Sequence, residues 1–315
     1  MKLSAIHRLD FRQLEASYDL VVVASGYESR ARFVAEEINA KQTSCSTRIA
    51  LAFHEHREEC TRPENDRVFS SLGFQLIICR GGIADEVSSI IEKAILQVSS
   101  NGSAKILIDI SSMTRVWYGA IIRLLTQSID IPSLVVHFAY TPAQFISPPG
   151  EYPPNRVVAP IHGFIGNTLP DKPTALIVGL GYDPDRARGL KDYLDPQLTL
   201  LFAANPSNDP RFVQSVHAVN KDLYDRLPET HSFTYPVNDL VAIFKLIESV
   251  SNGLRHDWRV VLCSLGPKTF GLCCFLVASL HRDLSIWRVG ADHHEKPVDH
   301  KPGGPITILE TIWRR

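Results

Sequence analysis

The sequence has no long apolar run and no excess of charge of either sign. It contains 33 lysines and arginines against 34 aspartates and glutamates, a formal net charge of −1 over 315 residues. A chain without excess positive charge does not attract nucleic acid along its whole surface, so a long duplex is not an expected partner. The longest apolar run, near Leu272 to Leu280, is shorter than the about 20 residues of a membrane-spanning helix, so no membrane association is expected.

Signatures of secretion, zinc binding and common cofactors are missing as well. Residues 1–13 lack the signal-peptide core of about 7 to 15 apolar residues, so a cytoplasmic location is expected. None of the six cysteines forms a C-x-x-C pair, and Cys273 and Cys274 are expected to be small buried residues of a helix. The stretch GLGYDPD at 179–185 lacks the third glycine of a dinucleotide fingerprint. No P-loop or G-x-S-x-G elbow occurs, and no cofactor is expected.

The sequence does contain a regular alternation of short apolar strands and helices. Apolar runs predict strands at 19–25, 48–53, 74–79, 105–110 and 133–140, and helical spacing predicts helices at 28–40, 64–72, 85–98 and 113–127. Strands that are apolar along their whole length are buried on both faces, so the sheet should be mostly parallel with helices on each side. The pattern predicts an α/β fold of the doubly wound, Rossmann-like class.

The same pattern begins again in the second half of the chain. GYESRAR at 26–32 corresponds to GYDPDRAR at 181–188, and KILIDISSMTR at 105–115 corresponds to RVVLCSLGPK at 259–268. In each half the fifth strand leads through a Pro- and Gly-rich segment to a last apolar strand. These last strands are predicted at 156–164 and 305–312.

A repeat of about 155 residues is too long for a solenoid and indicates an internal duplication. It predicts two tandem Rossmann-like domains, residues 1–166 and 167–315, each a mostly parallel sheet flanked by helices. Two homologous domains in one chain resemble a fused homodimer, so we expect them to pack with pseudo-two-fold symmetry.

The candidate site lies where strands end, because ligands of open α/β sheets bind beyond the carboxyl ends of the strands. The stretch IDISSMTR at 108–115 leads a buried strand directly into polar groups. Its hydroxyls and its arginine can bind a phosphate or a ribose at a helix start, and its aspartate can accept from a ribose hydroxyl or cap the helix. The simpler interpretation is a helix capped by Ser111 or Ser112. The ligand-binding candidates of this turn are Asp109, Ser111, Ser112, Thr114 and Arg115.

Residues after the first strand and residues in the second half complete the candidate ligand site. Glycine lets a backbone approach a ligand, tyrosine can stack on a base and arginine can meet a phosphate. After the first strand the candidates are Ser25, Gly26, Tyr27, Glu28 and Arg30. In the second half they are Gly181, Tyr182, Ser264, Gly266, Lys268 and Thr269. A tight turn with a packed tyrosine remains the alternative for the loop that carries Tyr27.

Histidines suggest two other uses. His54 and His56 would lie on one face of an extended segment, but the second half has AANPSN at the equivalent place, so no metal is expected there. The His-rich stretch at 291–300 is expected to be a loop without a metal. If the chain acts on a nucleotide or nucleoside, His54, Glu28 and Asp109 are the acid/base candidates.

The residues from Asp109 to Arg115, together with Ser25-Gly26-Tyr27-Glu28, resemble the signatures of the CARF family of cyclic-oligonucleotide sensors. The duplicated chain is similar to SAVED domains, which resemble two fused CARF units. Arg115 lies one place earlier than the commonest spacing, and the second half, with Ser264-Leu265-Gly266-Pro267-Lys268, lacks the aspartate. The resemblance covers nearly the whole chain as architecture, but about a dozen residues as motif.

The resemblance implies a nucleotide-binding sensor of a prokaryotic antiviral defence system, with a cyclic or linear oligonucleotide as ligand. It also implies a separate effector protein as partner, or cleavage of the ligand by the chain itself, as in ring nucleases. Two alternatives stay open. One is a nucleotide- or nucleoside-processing enzyme, such as a phosphodiesterase or glycosidase; the other is a scaffold protein with a degenerate pocket.

Overall fold

The computed structural model describes residues 1–14, 17–99, 102–127, 129–147, 154–169, 171–183, 185–290 and 297–315. Its strands are β1 (Lys2–Asp10), β2 (Ser17–Ser25), β3 (Ser44–Phe53), β4 (Gln75–Cys79), β5 (Ser103–Asp109), β6 (Ser133–Tyr140), β7 (Val157–Pro160), β8 (Thr174–Gly179), β9 (Leu198–Ala204), β10 (Ser232–Tyr235), β11 (Arg259–Ser264), β12 (Ser285–Gly290) and β13 (Thr307–Arg314). Its α-helices are α1 (Phe33–Ala40), α2 (Arg62–Ser71), α3 (Ala84–Val98), α4 (Arg115–Gln127), α5 (Arg186–Leu194), α6 (Pro210–Val219), α7 (Lys221–Arg226), α8 (Leu240–Leu254) and α9 (Lys268–Leu280).

The chain folds into two compact units. Unit 1 comprises Met1–Gln144 together with Pro297–Arg315, and unit 2 comprises Phe145–Lys296. Each unit is built on a mostly parallel sheet that helices flank, so the predicted α/β class is confirmed, and the arrangement is consistent with a Rossmann-like fold. The strands are apolar because both faces are covered, as in β2, where Leu20 to Val23 have no exposed surface.

Six strands of each sheet follow the same order, and unit 1 adds β1 at one edge. In unit 1 the order is β1-β13-β6-β5-β2-β3-β4, and in unit 2 it is β10-β9-β8-β11-β12-β7. Read across each sheet from its parallel edge strand, the order in unit 1 is β4-β3-β2-β5-β6-β13. The corresponding order in unit 2 is β10-β9-β8-β11-β12-β7. In both sheets the last of these strands is antiparallel to its neighbour. The duplication itself stays a prediction, to which this shared order adds support.

The last strands do not belong to the halves in which they occur. The structure places β7 beside β12 in unit 2 and β13 beside β6 in unit 1. The unit boundaries therefore differ from the expected division at residue 166. The apolar pattern shows that a strand exists, but not which fifth strand it will pair with, so the exchange could not be seen in the sequence.

A buried polar chain also ties β13 into unit 1. The hydroxyl of Tyr18 lies 2.7 Å from Nδ1 of His137, and Nε2 of His137 lies 2.9 Å from a carboxylate oxygen of Glu310. His137 has no exposed surface, so both of its ring nitrogens find partners inside the protein. These contacts join β2, β6 and β13 on one face of the sheet.

Several elements differ from the sequence prediction. Residues 28–40 form a short 3-10 turn at Ser29–Arg32 before α1, and α4 begins at Arg115 instead of residue 113. The amino-terminal strand β1 was not predicted, because its side chains are mostly exposed and no apolar alternation marks it. The helices α6 to α8 and strand β10 were likewise not predicted.

The expected burial of two cysteines is confirmed. Cys273 and Cys274 lie in α9 without exposed surface, and burial raises the pKa of the Cys273 thiol. Most of α9 is buried, which explains why its sequence is apolar all round. Within the parts of the chain that the structure describes, no helix combines the length and the apolar character needed to cross a bilayer.

We predict that Leu309→Ala destabilises unit 1 although the residue lies near the end of the chain. Leu309 has no exposed surface in β13, and a buried Leu→Ala change costs about 2–5 kcal/mol of the free energy of unfolding. Hydrogen exchange should show protection lost in β6 and β1 while β8 and β11 stay protected. The control is Leu280→Ala, at a side chain that is 41% exposed, which should cost about 1 kcal/mol or less. Equal loss of protection in both units would contradict the exchange of strands.

Candidate functional site

The turn between β5 and α4 is held by hydrogen bonds between its own residues. A carboxylate oxygen of Asp109 accepts from the backbone N–H of Ser111 at 2.9 Å and also from the Ser111 hydroxyl. The oxygen of that hydroxyl accepts from the backbone N–H of Thr141 at 2.8 Å. Asp109 and Ser111 are buried, so in this structure they shape the turn and connect it to the end of β6.

Thr114 caps helix α4, in place of the expected Ser111 or Ser112. Its hydroxyl oxygen accepts from the backbone N–H of Trp117 at 3.3 Å, which is the N-cap geometry for a helix that begins at Arg115. The same hydroxyl donates to the carbonyl of Gly81 at 3.0 Å and so connects the helix start to the loop after β4. Ser112 is half-buried, and its hydroxyl donates to Glu28 at 3.4 Å.

A cluster of charged groups lies beside this turn. Nε of Arg30 is 2.7 Å from a carboxylate oxygen of Glu28, and its Nη1 donates to the carbonyl of Thr141 at 3.2 Å. Burial lowers the pKa of Arg30, but Glu28 and Tyr140 raise it by more, so it lies above its usual value and the guanidinium is charged. Burial raises the pKa of Tyr140, while the charges of Arg30 and Arg115 lower it. Glu28, Arg30 and Arg115 are thus all near enough to Tyr140 to affect its ionisation.

The loop after β2 is clamped by side chains from the start of α2. The amide nitrogen of Asn65 donates to the carbonyls of Gly26 and Glu28, both at 2.9 Å, and the hydroxyl of Thr61 donates to the carbonyl of Tyr27 at 2.9 Å. Tyr27 packs edge-on against His56, with ring centroids 5.6 Å apart. The sequence reading did not single out Asn65, because no known motif marks a buried amide that holds a loop.

Unit 2 has the same clamp at the equivalent loop. The amide nitrogen of Asn220 donates to the carbonyl of Gly181 at 2.9 Å, at the same separation of 39 residues along the chain as Asn65 from Gly26. An ion pair also recurs. Asp183 lies 2.9 Å from Nε of the buried Arg186 in unit 2, and Glu28 is paired in the same way with the buried Arg30 in unit 1.

Ser25 lies below this loop in a buried network. Its hydroxyl donates to Asp66 at 2.5 Å, and Asp66 is paired with the buried Arg62 at 2.9 Å. Nη1 of Arg62 donates to the carbonyl of Phe53 at 2.8 Å. Ser25 has no exposed surface, so here it supports the loop from beneath.

The glycines of the unit 2 site have a structural explanation. A Cβ at Gly181 would lie 2.2 Å from the carbonyl oxygen of Leu265, and a Cβ at Gly266 would lie 2.2 Å from that of Leu180. The loops after β8 and β11 therefore touch through their backbones, and only glycine permits this approach. Lys268 is the first residue of α9, and Tyr182 packs against Phe212 at a centroid distance of 5.7 Å.

Two hydroxyl residues of unit 2 are buried at the start of α9. Ser264 is 5% exposed and its hydroxyl donates to the carbonyl of Pro267 at 3.5 Å. Thr269 is fully buried, and its hydroxyl has no hydrogen-bond partner among the described residues. In unit 1 the hydroxyl of Thr141 is likewise buried and has no partner within the described part of the chain.

The three acid/base candidates have different surroundings. Asp109 is buried and accepts a hydrogen bond from Ser111, and Glu28 forms an ion pair with Arg30. His54 is exposed, and nearby the hydrogen bonds from Arg80 lower the pKa of Glu86. Across the described residues, no group of three His, Cys, Asp or Glu side chains can hold a metal ion. Residues 291–296 of the His-rich stretch lie outside the described residues.

An aromatic pair that the sequence reading did not single out adjoins the turn. Phe53 ends β3, and its ring stacks on Trp117 with centroids 4.0 Å apart and planes 11° from parallel. Trp117 is fully buried and its indole N–H donates to the carbonyl of Arg80 at 3.0 Å, whereas Phe53 is half-buried. A phenylalanine directly before the polar run HEHRE is a signal that could have found it.

No family model matches this chain, and no curated protein matches it. Among solved structures, AtPrR2 in its apo form has 11% sequence identity, covers 76% of this chain and 87% of its own, and gives a TM-score of 0.24. The T. thermophilus 16S rRNA methyltransferase in complex with AdoMet and guanosine has 8% identity, covers 96% of this chain and 90% of its own, and gives a TM-score of 0.21. Similarity this low carries no argument about fold or function.

We predict opposite tolerance to alanine at two of the candidate glycines. Gly266→Ala would place a methyl group against a backbone carbonyl and should cost about 1–3 kcal/mol of the free energy of unfolding. Gly26→Ala would meet Phe53 and Ser112 at 3.5 and 3.6 Å, which is ordinary contact, and should change stability by about 0.5 kcal/mol or less. Denaturant unfolding of both variants measures the difference. Equal stabilities would contradict the close approach of the two loops in unit 2.

Proposed function

We propose that this protein is a nucleotide-binding sensor whose ligand binds at the carboxyl edge of the unit 1 sheet. The observation that carries the proposal is the ion pair of Arg30 and Glu28 beside the turn at the amino end of α4, where Ser112 contacts Glu28 and Arg115 begins the helix. Arg30 is paired with Glu28 and Asp109 is hydrogen-bonded to Ser111, while Arg115 places a guanidinium in the first turn of α4. That combination favours an anion such as a phosphate.

Hydrogen-bonding groups next to the arginines support the same ligand. The Ser112 hydroxyl is half-buried at the turn, and Thr141 offers a buried hydroxyl without a partner among the described residues. Hydroxyl and arginine groups around a helix start are the usual donors to phosphate oxygens. We assign the phosphate to the surroundings of Ser112 and Arg115, and the ribose to the side of Glu28.

Unit 1 is favoured over unit 2 as the binding unit. The loops after β8 and β11 in unit 2 are in direct backbone contact, and that contact fills the space between Gly181 and Gly266. The corresponding loop at Gly26 in unit 1 meets side chains only at ordinary contact distances. On this proposal unit 2 keeps the framework of the site, while unit 1 accepts the ligand.

The regulatory role rests on the resemblance to CARF and SAVED proteins. On that basis the ligand is a cyclic or linear oligonucleotide, the setting is a prokaryotic antiviral defence system, and a separate effector protein responds to the bound state. Cleavage of the ligand is an added activity that product analysis during the binding experiment would detect.

We predict that Arg115→Gln weakens nucleotide binding by about 10-fold or more, since a hydrogen bond to a charged group contributes about 1.5–3 kcal/mol. The measurement is calorimetry against cyclic di-, tri- and tetranucleotides, with chromatography of the ligand afterwards. Arg123→Gln is the matched control, because it removes the same charge from the same helix where Arg123 pairs with Asp85. A folded wild-type protein that binds no member of the panel would overturn the proposed function.

A further inference from the structure

The ring of Phe53 lies in the middle of the candidate site of unit 1. A Cβ at Gly26 would lie 3.5 Å from its Cε2 atom, and a Cβ at Gly81 would lie 3.4 Å from its Cδ1 atom. The two glycines therefore lie against opposite edges of the ring. Gly26 is in the loop after β2, and Gly81 is in the loop after β4. Trp117 covers one face of the ring from α4, and the remaining surface is partly open.

The backbone does not require glycine at either of these positions. Neither residue has a positive φ, and an added methyl group would make ordinary or slightly tight contacts with the Phe53 ring, at 3.4 Å or more. What the two glycines do is keep side-chain atoms away from the two edges of an aromatic ring. This differs from Gly181 and Gly266 in unit 2, where a backbone carbonyl at 2.2 Å excludes any side chain.

The ring is also next to the groups assigned to the phosphate. The Cβ of Ser112 is 3.6 Å from the Cβ position of Gly26, and Thr114 donates to the carbonyl of Gly81. A planar group lying on Phe53 would therefore be close in space to Ser112, in the turn at the start of α4. Nucleotides combine a planar base with a phosphate at such a short separation.

Unit 2 lacks the ring at the corresponding place. Phe53 pairs with Cys79 at the end of the parallel ladder in unit 1, and Ala204 pairs with Tyr235 at the end of the ladder in unit 2. The residue after each also makes the same hydrogen bond, from His54 to the carbonyl of Cys79 and from Asn205 to that of Tyr235. Of these two equivalent positions, the one in unit 1 carries an aromatic ring and the one in unit 2 carries an alanine.

We propose that Phe53, supported from behind by Trp117, is the platform on which a base of the ligand stacks. The inference rests on the proposed function and adds the base-recognition element to it. Stacking is tolerant of base identity because every base has a π face, and purines present the larger face. Trp117 acts as a positioning residue, since it is buried and holds the Phe53 ring without reaching the ligand.

The test compares cyclic purine and cyclic pyrimidine oligonucleotides of the same ring size, from two to four nucleotides, by calorimetry on the full chain. Phe53→Leu should weaken purine binding by about 10-fold, in line with the contribution of a stacked base, and should weaken pyrimidine binding less. Phe53→Tyr keeps an aromatic ring and should retain wild-type affinity. Arg115→Gln should weaken both classes equally.

Phe233→Leu is the control for loss of a stacked ring elsewhere. Phe233 is half-buried and stacks on Phe202 in unit 2 with centroids 4.8 Å apart, so its removal should leave affinity unchanged. If the wild-type protein binds none of the oligonucleotides, the proposed function fails and this inference fails with it. If binding occurs and Phe53→Leu, shown by thermal unfolding to be folded, binds as tightly as the wild type, only the platform is overturned.

Discussion

The hydrogen-bonded ladder between β6 and β13 is the interaction on which unit 1 depends. It joins eight residues of each strand in register, from Thr307 beside Tyr140 to Arg314 beside Ser133. Among the described residues, strand β1 pairs with β13 alone, so the ladder also holds β1 in the sheet. The segment before β13 then reaches the candidate site, where Asp299 accepts from the backbone N–H of Ser29 and the carbonyl of His300 accepts from that of Arg30.

The sequence was most informative where burial alone decides the structure. Strands such as β2 and β6 were predicted to within a few residues, because a parallel strand covered on both faces has a continuous apolar run. β1 and β13 needed more information. The first is mostly exposed and leaves no periodic signal, and the second has an apolar pattern that does not name its partner.

The candidate site was predictable as a place but not as an arrangement. Strand ends indicated which loops would meet, and the structure brings Ser112 of one loop into contact with Glu28 of the other, where Glu28 is paired with Arg30. The roles of individual hydroxyls depended on geometry that spacing does not encode: Thr114 caps α4, while Ser111 connects Asp109 to Thr141. Phe53 was not predicted as a site residue: the polar run after it marks the end of a strand, but it does not show whether the ring is fully buried or half-buried on Trp117.

The exchange of the last strands has a consequence for the order in which the molecule is made. Unit 2 is one continuous segment, from Phe145 to Lys296, and can fold as soon as the ribosome has released it. Unit 1 must wait, because the later segment from Pro297 to Arg315 supplies both strand β13 and two groups that hold the loop of Ser29 and Arg30. These groups are the Asp299 carboxylate and the His300 carbonyl. The candidate site is therefore complete only once residues 297–315 have joined unit 1, so a variant that lacks this segment cannot present a complete site.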